Sequence, residues 1–302
     1  MKGREEGIVM LWIVLTAAAA PFQVARNVFQ RGLIGDAGPW GATLVRFLFG
    51  LPFAILIFAV VASLTPQAAP QFSSRFWWAI ALGAMSQMGA TVALLVAMRR
   101  SGFAVATFMQ QASLPLGAIF GWLVFGEAMH GQQWLGIAAT SAGLTVLSWP
   151  KIDDPKGAVQ GSLFGLVSGA CFALALNGFR QAGLALDPHH PIYSATAGVV
   201  VAQAMQTTVL GGALAVLRPA ALRAVMVSWR PSLGAGLCGA AASALWFSAL
   251  ALAPAGPVRA VGVIEAPIAA AAGRTLFKER LTLRQMLGGA VTALGVVMTA
   301  LG

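Results

Sequence analysis

Glu265 stands in the apolar run GVIEAPIAAAAG (262–273), two residues before Pro267. Gln87, Gln110, Gln111, Ser113, Gln203 and Ser243 occupy similarly apolar runs, and Arg46 sits in ATLVRFLFGLPF (42–53). A carboxylate at such a place binds a cation or amine when ionised and carries a proton when neutral. Carboxamides both donate and accept hydrogen bonds, and a guanidinium pairs with an anion. Polar groups inside apolar surroundings are costly unless they face one another, water or a polar solute. Trp246 adds a flat ring on which an apolar or aromatic solute can stack. These residue types perform recognition and proton carriage. The apolar runs hold no paired acidic residues for metal-diphosphate chemistry. His130, His189 and His190 all fall in the gaps, without ligand spacing. The expectation is therefore no catalytic residue, no metal, no cofactor and no enzyme activity. Asp153 and Asp154 read as a solvated turn, and Cys171 and Cys238 as small apolar residues within their runs.

The elements that must position these groups follow from composition. Of 302 residues, 58% are hydrophobic and only 9% charged, which is more apolar surface than a soluble core of that length can hide. The chain is read as an all-α polytopic membrane protein. Its net charge of +10 sits mostly in the gaps between apolar runs, where it sets topology, so nucleic acid is not implied. The N-terminal apolar run reads as a spanning helix and not as a signal peptide, because Glu5 and Glu6 disfavour a basic leader. Ten runs are long enough to cross a bilayer: 8–29, 40–63, 76–98, 102–126, 133–149, 159–181, 192–216, 232–252, 256–277 and 283–301. Trp40, Trp77, Trp78, Trp134, Trp149 and Trp229 fall at run ends as interface anchors, while Trp12, Trp122 and Trp246 lie deeper.

The second half of the chain repeats the first. Pro115/Pro267, Gly121/Gly273, Phe125/Phe277, Glu127/Glu279, Gln133/Gln285 and Gly143/Gly295 match at one constant offset without a gap, and FQVARNVF (22–29) is echoed by FALALNGF (172–179). Residues 1–150 and 151–302 are thus expected to be two five-helix repeats. An odd helix number turns the second repeat upside down. Such architectures place a binding site near the midplane and expose it alternately to each side. At a rise of about 1.5 Å per residue, the polar positions reach a similar depth near the centre and define one central cavity, with Arg46 nearer the cytoplasmic face. Pro115 and Pro267 interrupt their helices and are candidate hinges.

These residues carry a resemblance. Each half ends in a helix with a mid-span proline, a segment closing in FGE or FKER, and a last helix opening QQWLGIAATSAG or RQMLGGAVTALG. Together with the arginine in ATLVRFLFGLPF, this resembles the EamA-type branch of the drug/metabolite transporter superfamily over essentially the whole chain. The resemblance implies ten helices and transport, and leaves the substrate open among amino acids, metabolites, sugar phosphates and nucleotide sugars. It also implies cytoplasmic termini. The charges point the other way: Arg31, Arg99, Arg100, Lys151, Lys156, Arg218, Arg223, Arg230, Arg274, Lys278, Arg280 and Arg284 share one side, which puts both termini outside a cytoplasmic (inner) membrane.

The expected function is a secondary transporter exporting small amphipathic metabolites, foremost bulky or aromatic amino acids, by alternating access. Its partners are a small-molecule substrate, membrane lipid and, through Glu265, protons; oligomeric state is left open. An anionic cargo would call for several basic groups, and Arg46 alone is well placed. The alternatives are a multidrug exporter of lipophilic cations, with Glu265 as counter-ion, and, from another class, a channel or lipid scramblase. Glu265 has three candidate roles: an ion pair with Arg46, a substrate contact, or proton coupling. Arg259, six residues before it, falls about 240° round a continuous helix and so on another face.

Overall fold

The computed structural model describes residues 2–113, 115–117, 119–120, 130–148, 155–253, 255–279 and 281–301. The apolar runs are helices: α1 (Lys2–Leu48), α2 (Leu51–Leu64), α3 (Ser74–Ser101), α4 (Phe103–Gln110), α5 (Gly131–Ser148), α6 (Pro155–Leu186), α7 (Pro191–Leu217), α8 (Pro219–Val227), α9 (Trp229–Leu252), α10 (Ala255–Gly262), α11 (Glu265–Leu276) and α12 (Leu283–Leu301). Among the described residues, six spans are long and apolar enough to cross a bilayer, namely Leu11–Gly35, Ala37–Leu64, Ser74–Ser101, Val159–Leu186, Pro191–Leu217 and Trp229–Leu252. Trp134–Val146 and Leu283–Met298 are shorter apolar helices. The protein is an all-α multi-pass membrane protein. Exposed Leu56, Val60, Trp78, Val216 and Leu217 are what a lipid-facing surface requires.

Three features depart from the ten-run expectation. First, the gap expected near 30–39 is helical, and the turn between the first two runs is made at one residue: Gly38 takes φ 67° and ψ 175° within α1. Glycine adopts that conformation without a Cβ clash, and Pro39 restarts the helix at once. Second, the gap at 218–231 contains α8, begun by Pro219 at its first turn. Third, the fourth and ninth runs are interrupted. Helix α4 stops at Gln110, and helical backbone resumes at Ser113; α10 stops at Gly262, and α11 starts at Glu265. Both breaks lie one turn before a proline, where the ring of Pro115 or Pro267 would clash with the carbonyl four residues back. The chain tightens there to three-residue hydrogen bonds, Gln111 N to Phe108 O at 2.9 Å and Ile264 N to Val261 O at 3.2 Å.

The described chain forms two compact units, residues 1–88 with 175–255, and residues 89–174 with 256–302. In the first, Leu44, Val45, Phe47, Met88, Leu210, Leu214 and Val225 form the core. The end of α1 packs on α9 so closely that a Cβ on Gly236 would lie 2.4 Å from the carbonyl of Phe49, the residue that follows the helix. The echoed phenylalanines make matching contacts: a Cβ on Gly234 would meet the Phe29 ring at 2.9 Å, and one on Gly83 the Phe179 ring at 2.6 Å. In the second unit, α5 and α12 cross at a reciprocal pair. A Cβ on Gly143 would lie 2.5 Å from Thr292 N, and one on Gly295 2.3 Å from Thr140 N. Small residues at these points let the backbones touch, which substitutes for the hydrophobic drive that lipid withholds.

Candidate functional site

In the second unit the helix breaks carry the polar side chains. Gln110, Gln111 and Ser113 are each 1% exposed and Glu265 is fully buried. Arg259, on α10, donates from Nη2 to Gln111 Oε1 at 2.9 Å. It also lies within electrostatic reach of Glu265. Two non-helical residues separate α10 from α11, so Arg259 and Glu265 do not stand on one continuous helix as the sequence reading assumed. Glu265 occupies the first turn of α11. Gln110 Oε1, Gln111 Nε2 and Ser113 Oγ find no hydrogen-bond partner among the described residues. Of the two prolines, Pro115 is buried and Pro267 exposed.

The first unit holds a second polar layer. Arg46 is 1% exposed and its Nη2 lies 3.5 Å from Ser243 Oγ on α9. Gln87 accepts from Gln206 Nε2 at 2.8 Å, and the same nitrogen donates to Ala84 O. Neither amide atom of buried Gln203 meets a partner among the described residues. Trp246 is 6% exposed, which places its ring among protein groups and not lipid. Arg26 was not among the sequence candidates, yet it is as buried as Arg46, and its Nη1 donates to Gln23 Oε1 at 3.0 Å and its Nη2 to Asn27 Oδ1 at 2.7 Å. The signal for it was present: an arginine at the middle of a spanning run, inside the segment FQVARNVF. Trp40, Trp77, Trp78, Trp134 and Trp229 are exposed at helix ends, while Trp122 and Trp149 lie outside the described residues.

Residues 10–149 match the EamA-like transporter family. They belong to it. A relative from a Sinorhizobium species, described as an uncharacterized transporter in the cobO 3′ region, is 28% identical over 138 residues, covering 45% of this chain and 94% of that protein. A protein of known crystal structure aligns over 96% of each chain with a TM-score of 0.54 at 13% identity, which is a likeness of fold.

Beyond the EamA-like residues, Glu279 explains one of the repeated motif positions. Lys278 takes a left-handed φ of 54°, and the next residue turns its carboxylate onto the start of α4. Glu279 Oε1 accepts from Phe103 N at 2.8 Å and Oε2 from Ala104 N at 3.2 Å, beside Gly102 at φ 92°. These N–H groups have no partner within their own helix, and the dipole adds to the attraction. Glu127, the matching residue of the EamA-like half, lies outside the described residues. Glu279→Ala is expected to lower stability by about 1–3 kcal/mol, and Glu279→Gln by less, since an acceptor remains. Thermal unfolding of the purified protein in detergent measures both.

Proposed function

We propose that the protein is a secondary transporter that exports small amphipathic metabolites by alternating access, with bulky or aromatic amino acids first among them. The observation that carries this reading is the pair of helix breaks at 111–112 and 263–264, each one turn before a proline, with Gln111, Arg259 and Glu265 gathered at them. Discontinuous helices with polar groups at their broken ends suit ion and solute handling in membranes, and a break lets the halves of a helix reorient. The two halves of the chain, 1–150 and 151–302, act as inverted repeats in this reading, which the matching Phe29 and Phe179 contacts and the reciprocal Gly143 and Gly295 contacts support.

Work divides between the polar layers. The first unit, with Arg46, Gln203, Ser243 and Trp246, recognises cargo; the second, with its prolines and Glu265, sets conformation and takes up a proton. The charge distribution supports a cytoplasmic-membrane location with both termini outside. Full burial of the Glu265 carboxylate favours one rival within transport, an exporter of lipophilic cations with Glu265 as counter-ion. A thermal-shift screen separates them, because a ligand that binds the folded state raises its melting temperature. Phenylalanine and leucine are expected to stabilise the purified protein. Stabilisation by a lipophilic cationic dye alone would select the rival reading, and stabilisation by a sugar phosphate alone would reject both.

A further inference from the structure

We propose that the second unit carries a binding site for an anionic phospholipid, in the groove between α11 and α12. The proposal goes beyond the transport reading and does not depend on it. A cavity of about 1120 Å³ lies between the two helices, with Phe108 of α4 among its walls. Its wall positions recur three and four residues apart, at Pro267, Ala270, Ala271 and Arg274 on α11 and at Met286, Gly289, Ala290 and Ala293 on α12. Each helix therefore turns one face to the groove. A Cβ on Gly289 would stand 2.8 Å from the Phe108 ring, so that ring, 8% exposed, closes the groove on the protein side.

The groove has the dimensions of one lipid leaflet. Alanine and glycine at such positions normally let two helices touch, whereas here they leave a trough. Ile264 and Met286, which line it, are 46% and 57% exposed, as suits contact with hydrocarbon. Helix α11 has 12 residues and is about 18 Å long, a little over half of a hydrocarbon core of about 30 Å. The lining follows it from Ile264 to Thr275. That length suits an acyl chain better than a helix of a second copy, which needs about 20 residues to span.

Charge gathers at one end only. Arg274 lines the groove from the last turn of α11 and is exposed. Lys278, on the connection between the helices, and Arg284, in the first turn of α12, are exposed at the same end. Glu279 lines that end too, with its carboxylate engaged by Phe103 N and Ala104 N. Among the described residues, Val263, Ile264 and Ala293 form the other end without a charged side chain. The matching occupant is anionic at one end and apolar along the rest. A phospholipid of net negative headgroup has that form: its phosphate suits the arginine fork, and its chain runs toward the helix break at 263–264. Basic pockets between membrane helices hold anionic headgroups in the same way.

The test is titration of the purified full-length protein in neutral detergent with phosphatidylglycerol and with phosphatidylcholine of the same chains, read by native mass spectrometry and as melting temperature. Phosphatidylglycerol is expected to bind saturably and at least about tenfold more tightly, since each basic group near a headgroup contributes roughly fivefold. Arg274→Gln is expected to remove about fivefold of that preference, and Arg274→Lys to keep most of it. Arg223→Gln, at an exposed arginine of the first unit, should leave the preference unchanged. Ala290→Phe fills the trough from an exposed position and should weaken binding of both lipids with Arg274 still in place. Dihexanoyl phosphatidylglycerol, the same headgroup on short chains, should bind more weakly than the long-chain lipid, which serves if Ala290→Phe does not fold. Equal affinity for the two lipids, an undiminished preference in Arg274→Gln, or an equal loss in Arg223→Gln would overturn the site. Unchanged binding in Ala290→Phe or by the short-chain lipid, or stabilisation by inorganic phosphate equal to that by phosphatidylglycerol, would overturn the placement of a lipid chain in the groove. A dimer that Ala290→Phe dissociates would put a second copy there and overturn the lipid.

Discussion

Glu265→Gln is expected to yield a folded protein whose transport falls by about 10- to 100-fold, the equivalent of the 1.5–3 kcal/mol that a hydrogen bond to a charged group carries. The substitution keeps shape and hydrogen-bonding capacity and removes only ionisation. Folding should tolerate it, because the matching residue of the first repeat, Ser113, is neutral at the same distance from its proline. Transport should not, because the carboxylate is fully buried at the start of α11, beside a helix break and within reach of Arg259. If a proton is coupled through Glu265, wild-type flux varies with pH and the variant's flux is flat. A structural role predicts otherwise: a fall in melting temperature that Arg259→Gln in the same chain restores, the second change removing the charge left behind. Flux assays across a pH series, run beside melting curves, separate the two.

Gly295→Leu is expected to abolish recovery of a monodisperse protein, and Gly295→Ala alone to cost about 1–3 kcal/mol. A Cβ on Gly295 would stand 2.3 Å from the backbone nitrogen of Thr140 and 2.7 Å from Gly136 O, so α5 and α12 would have to separate. Gly143 faces Thr292 in the same way and should respond alike. Gly32 is the control: nothing lies within 4 Å of its added Cβ, and Ala there should stabilise α1 by about 0.5–1 kcal/mol. Size-exclusion profiles and melting temperatures of these variants measure the effects.

Composition and hydrophobic run length were sufficient for the fold class, since a chain this apolar can hide its surface only in lipid. Pro115 and Pro267 marked their helices for interruption because a missing N–H and a ring clash are local properties that no tertiary context removes. The course of the chain beyond them was not legible. Run length treats a polar stretch as a gap, yet Arg31 to Gly35 continue α1, and Pro219 starts a helix where two prolines suggested a loop. The angular spacing of Arg259 and Glu265 was reckoned on an unbroken helix, although the proline beside which that helix breaks was in view. Arg26 was passed over because it stands near the end of the run read as 8–29, whereas α1 continues past it to Leu48. Its pairing with Asn27, Gln23 and the Arg46 layer depends on how α1 packs on α9, which lies outside any single run.

Counterflow tests the central claim most directly. Proteoliposomes loaded with unlabelled phenylalanine and diluted into a trace of labelled phenylalanine should accumulate label transiently above its external concentration, saturably, because a carrier returns loaded faster than it returns empty. Label that merely equilibrates without overshoot, at a rate proportional to concentration, would mark a channel and contradict the account.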